Sequence, residues 1–136
     1  MGDLFFILCG YLNLIAGVVL LIYWYAFAIF MPYQEMTTTL AILVKNRHWT
    51  WINALGVVGA LAGLLGQAGI YMFQIPNASG VAALGFYVAA AGTTLLIGSM
   101  LWDTILWPIL VKYDEGLLDF QGPIYTSKTF LPFFII

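Results

Sequence analysis

Asp103 stands near the end of the third long apolar stretch, the only acid inside such a stretch, and a carboxylate there invites two readings. In low dielectric it could relay a proton or gate a ligand. Alternatively it lies at interface depth and is neutralised by Arg47, Lys45, Lys112 or His48 at the same membrane face. Asn13 and Gln67 are the other conspicuous polar groups. Both fall at similar depth in the first and second stretches, so they are expected to hydrogen-bond across the two helices, as glue or as a rung of a substrate path. Thr93, Thr94 and Ser99 can return hydrogen bonds to their own helix, so no chemistry is assigned to them.

His48 is the sole histidine and sits between Arg47 and the pair Trp49 and Trp51. That setting reads as an aromatic and basic belt at headgroup level, although one imidazole would also admit a single axial contact to a pigment or other ligand. With one histidine and one cysteine, Cys9, there is no set of metal ligands, no internal disulfide and no Ser-His-Asp constellation. The glycines lie within apolar runs and form no phosphate-cradling loop. No group of residues converges on catalysis, so the chain is not expected to be an enzyme by itself.

The glycines have another pattern. Gly56, Gly59, Gly63 and Gly66 recur at steps of three, four and three, which puts them on one face of a helix. In hydrocarbon, helices associate by close packing and hydrogen bonds, because lipid tails are as apolar as leucine. A face stripped of side chains lets a second backbone approach. Gly85, Ala89, Gly92, Leu96, Ser99 and Asp103 form a comparable face on the third stretch, and Gly10 and Gly17 flank Asn13 on the first. The expectation is a tight three-helix bundle joined along these faces.

The elements that carry these residues follow from composition. Of 136 residues, 63% are apolar and 7% charged, and no charge interrupts Leu4 to Met31, Trp51 to Ser79 or Gly80 to Trp102. About 20 residues suffice for a helix to cross a bilayer. The sequence thus predicts an all-α integral membrane protein, one domain over 1–136, with spans at about 4–31, 51–73 and 80–111. Asp3 and Ser79 are candidate N-caps, and Pro32, Pro76-Asn77 and Pro108 are expected to end or bend helices. An interfacial segment is expected over 33–48 and an irregular arm over 112–136, whose closing stretch Phe130 to Ile136 is too short to cross.

All four bases, Lys45, Arg47, Lys112 and Lys128, fall in the first loop and the tail. The positive-inside rule therefore predicts the N-terminus outside and the first loop and C-terminus cytoplasmic. A net charge of −2 without a basic patch argues against nucleic-acid binding. These features together predict a non-catalytic accessory or structural subunit of a larger membrane complex, with energy-transducing assemblies (respiratory, photosynthetic or oxidising) foremost. Its partners would be other integral membrane subunits and lipids. It would need no cofactor of its own, although a bound lipid, quinone or pigment fits the composition. The alternative is a small transporter or lipophilic-ligand binder using Asp103 with Asn13 and Gln67.

Overall fold

The computed structural model describes residues 2–31, 39–74, 79–119 and 121–127. Three helices in it are long and apolar enough to cross a membrane: Asp3–Phe30, Trp49–Gln74 and Gly80–Tyr113. No strand occurs among the described residues. The elements are α1 (Gly2–Phe30), α2 (Leu40–Lys45), α3 (Trp49–Gln74), α4 (Gly80–Leu101), a π-helical turn (Trp102–Leu106), α5 (Trp107–Tyr113), a 3₁₀ turn (Glu115–Leu118) and α6 (Pro123–Thr126). Pro32, the Pro76-Asn77 turn, Lys128 and the closing stretch Phe130 to Ile136 lie outside the described residues.

Local chemistry explains the boundaries. Ser79 caps α4 by accepting from the backbone N–H of Ala82, and Thr39 caps α2 by accepting from Ile42. Asp3 falls inside the first turn of α1 instead of preceding it. Pro108 cannot donate a backbone hydrogen bond, and its ring crowds the carbonyl one turn back. The chain widens just there: the Trp107 N–H reaches the Trp102 carbonyl, five residues back, and closes the π turn that holds Asp103.

The arrangement is a layer with α3 in the middle. α1 runs antiparallel along one side of α3 and α4 along the other, so the expected bundle, with all three helices joined along glycine faces, is replaced by two seams on one central helix. The packing face of α4 is Ala83, Phe86, Ala90, Thr93, Ile97 and Met100, all partly or wholly buried. Gly85, Ala89, Gly92, Leu96 and Ser99 lie about a quarter turn away and are exposed.

The core gathers at the Trp49 end. Tyr23, Ala26, Ala41, Val44, Trp49, Ile52, Met100, Trp107, Val111 and Leu118 are buried in one cluster. Within the stretch expected to be an interfacial helix or loop, the described residues form α2, which buries Ala41 and Val44 and packs on α5 and the 3₁₀ turn. Part of the arm, expected to be irregular, also folds back: Leu118 is fully buried, and Lys45 and Glu115 form an ion pair that ties α2 to it. The two side chains are 47% and 63% exposed, so the apolar contacts hold this end together and the pair adds little.

Candidate functional site

The most organised polar region surrounds Asp103 in the π turn. Its Oδ1 accepts a hydrogen bond from Trp107 Nε1 at 2.6 Å, one wide turn further along the same strand of helix. Its backbone carbonyl accepts from Trp49 Nε1 of α3 at 2.7 Å. A π turn leaves carbonyls imperfectly matched to the helix ladder, and the indole of Trp49 supplies the missing donor. Trp49 and Trp107 are 4% and 5% exposed, so both rings are core members, Trp49 among them although its neighbours in sequence suggested an aromatic belt. The ion pair offered as the alternative reading is not formed among the described residues. Among the described residues no cation reaches Asp103, because Lys45 engages Glu115 and Arg47 turns to His48.

Asn13 and Gln67 do not meet. Asn13 Nδ2 donates to the Cys9 carbonyl on its own helix at 3.1 Å, and its amide fills the space beside Gly66. Gln67 points the other way, to α4, where Nε2 donates to Thr93 Oγ1 at 3.2 Å while Oε1 is buried with no partner. The two residues sit on opposite flanks of α3, a consequence of the layer geometry that depth alone could not reveal. Thr93, Thr94 and Ser99 donate back to Ala89, Ala90 and Leu96 of their own helix, as expected, and Thr93 has the additional role of accepting from Gln67.

The glycine face of α3 lies against α1. A Cβ added at Gly59 would stand 2.9 Å from Leu20 Cγ, and one at Gly56 would stand 2.9 Å from Met100 Sδ and 3.1 Å from Tyr23 Cε2. At Gly66 it would strike the Asn13 amide at 2.5 Å, whereas at Gly63 it would rest at 3.5 Å from Ala16 Cβ. Gly69 continues the face by one more step of three and lies against Cys9, closer than any Cβ could stand. Each step forward on α3 is met by a step back on α1, as antiparallel packing requires. Gly10, Gly17, Gly85 and Gly92 behave otherwise: nothing among the described residues comes within 4 Å of a Cβ built on them, so they take no part in either seam.

No family model, curated protein or solved structure matches this chain. The geometry must therefore carry the functional argument.

His48 lies between the ends of α1 and α3. Its ring stacks on Phe30 with centroids 4.5 Å apart, Trp51 Nε1 stands 2.9 Å from Nδ1, and Arg47 Nε stands 2.9 Å from Nε2. A neutral imidazole has one acceptor nitrogen, so its tautomer selects which donor is served. With a donor resting on each nitrogen, an axial ligand could bind only by displacing one of them. No group of three or more potential metal ligands occurs among the described residues.

Sequence reasoning missed three contributors here. Asn53 is 1% exposed and donates to the Trp49 carbonyl at 2.9 Å, which fixes the first turn of α3 beside Asp103. Asn46 joins two helix ends, donating from Nδ2 to the Phe30 carbonyl at 3.0 Å and accepting from the His48 N–H at 2.9 Å. Gly69 was legible as an extension of the three-four-three spacing. An asparagine one turn inside an apolar helix was the available signal for Asn53; nothing local marked Asn46.

An apolar groove of about 310 Å³ opens between α1 and α3, lined by Leu21, Ile22, Tyr25, Ala26, Ile29, Phe30 and Trp51. Asp103, Asn13 and Gln67 do not line it.

Proposed function

We propose that the chain is a membrane-spanning, non-catalytic accessory subunit whose α4 seats a helix of another integral membrane subunit. The observation that carries this reading is the unused small-residue face of α4. Gly85, Ala89, Gly92 and Ser99 recur at helical spacing, and around Gly85 and Gly92 the described residues leave open space. In hydrocarbon such a face contributes nothing by hydrophobic exclusion; its physical use is to let a second backbone approach closely. Within this chain that use is made of the α3 glycines, so the α4 face remains for a partner.

The orientation we propose puts the Trp49 end in the cytoplasm. Lys45 on α2, Arg47 before α3 and Lys112 on α5 belong to the elements packed at that end, and basic residues near helix ends are retained on the cytoplasmic side. Asp103 has a structural role in this reading, as acceptor for Trp107 within the turn that Pro108 imposes.

The test is a Gly85→Leu, Gly92→Leu double variant expressed in its native membrane. Native gel migration and identification of co-purifying chains should show the wild type in a larger assembly and the variant released from it, with Cys9 as protected from alkylation as before. A variant that stays in the assembly, or a wild-type chain that migrates alone, would refute the proposal.

A further inference from the structure

The groove between α1 and α3 has a cation at its mouth. Its walls are Leu21, Ile22, Tyr25, Ala26, Ile29, Phe30 and Trp51, and no polar atom faces it. It is open along its length to the surroundings of the helices, since Leu21, Tyr25 and Ile29 are all more than half exposed. At the Phe30 and Trp51 end stands the His48 cluster, in which Phe30 stacks on the imidazole, Trp51 Nε1 stands against one ring nitrogen and Nε of the exposed Arg47 against the other. Arg47 Nε thus faces an imidazole nitrogen, and among the described residues no carboxylate pairs with the guanidinium; the ion pair at this end joins Lys45 to Glu115.

From this juxtaposition we infer that the α1–α3 groove binds an anionic phospholipid, with an acyl chain along the apolar wall and the phosphate on Arg47. The chemistry selects this occupant. A quinone ring would find no donor facing the groove for its carbonyls, and a pigment would have to displace a donor from His48. An acyl chain asks only for apolar contact, and a volume of about 310 Å³ is at the small end of ligand sites, which suits one chain segment. Guanidinium nitrogens beyond Nε remain to hold phosphate oxygens, the geometry arginine serves best. His48 and Trp51 position that guanidinium at the level where the apolar wall ends. Depth and charge therefore match a headgroup over its own chain.

The inference rests on the membrane-spanning reading of α1 and α3, and its test separates the two. The full chain, purified in detergent, is given equal amounts of phosphatidylglycerol and phosphatidylcholine of the same chain length, and bound lipid is counted by native mass spectrometry. Phosphatidylglycerol should be retained about fivefold more often, the effect expected of one basic residue at a lipid surface. Arg47→Gln should bring the two lipids to parity. Ile22→Trp, which fills the groove from a half-exposed position, should lower retention of both. Equal retention by the wild type, a preference surviving Arg47→Gln, or unchanged retention in Ile22→Trp would each overturn the site. Alkaline carbonate extraction of membranes provides the separate check: a chain that stays in the pellet while failing the lipid test refutes the site alone, and a chain that is extracted refutes the spanning reading and the site with it.

Discussion

Replacing the glycines of α3 singly by alanine should give effects that differ strongly along one helix face, and the order follows from what each new methyl would meet. In water alanine gains about 1 kcal/mol over glycine from helix propensity. In a bilayer the separated helices remain helical, so that gain largely cancels and the contact geometry decides. At Gly63 the methyl would rest at 3.5 Å from Ala16 Cβ, ordinary contact, and would add a few dispersion contacts of about 0.1–0.2 kcal/mol each. Gly63→Ala should therefore change stability by no more than about 0.5 kcal/mol. At Gly59 the methyl would stand 2.9 Å from Leu20 Cγ and 3.2 Å from Val19 Cγ1, branched carbons that cannot simply swing aside. Overpacking of this kind costs about 1–3 kcal/mol. At Gly69 the obstacle is Cys9 Cβ, anchored directly to the backbone of α1, so only separation of the two helices relieves it. The cost should reach the top of that range, about 3 kcal/mol.

Two assays read this series. Titration with sodium dodecyl sulfate in mixed micelles gives relative stability from the unfolding midpoint. Cys9, buried and the only cysteine, reports separation of α1 from α3 through its alkylation rate. Gly69→Ala should accelerate alkylation under conditions where Gly63→Ala leaves it unchanged. If Gly63→Ala destabilises as much as Gly59→Ala, or if Gly69→Ala leaves Cys9 as protected as the wild type, the glycine face does not pack on α1 as described.

Other substitutions probe the polar groups. Asp103→Ala removes the Trp107 acceptor and should cost about 1–3 kcal/mol, whereas Asp103→Asn keeps a carbonyl oxygen in place and should cost less than half of that; equal losses would point to a role for the charge itself. Gln67→Met removes a buried oxygen that has no partner along with one hydrogen bond to Thr93, so stability in mixed micelles should be unchanged or higher by about 1 kcal/mol. A marked loss in Gln67→Met would show that the side chain is held by a partner outside this chain.

The sequence determined the long apolar elements. Uninterrupted apolar runs of spanning length leave helices as the one local structure that satisfies every backbone polar group without water, so the three long helices were readable from charge spacing alone. The glycine face of α3 was readable for the same kind of reason, since helical periodicity assigns residues to faces before any partner is known. What periodicity cannot assign is the partner. Gly59 and Gly66 face α1, whereas Gly85 and Gly92, equally regular in spacing, face open space, because α4 packs on α3 through Ala83, Phe86, Thr93 and Ile97 instead. The same limit separated Asn13 from Gln67, which share a depth but lie on opposite flanks of the central helix. Tertiary structure also decided the fate of Asp103: a proline five residues away opened a π turn, and two tryptophans whose type suits an interface were drawn into the core to complete its hydrogen bonds. Local sequence sets which side of a helix is small or polar; only the placement of the neighbouring helix decides what that side touches.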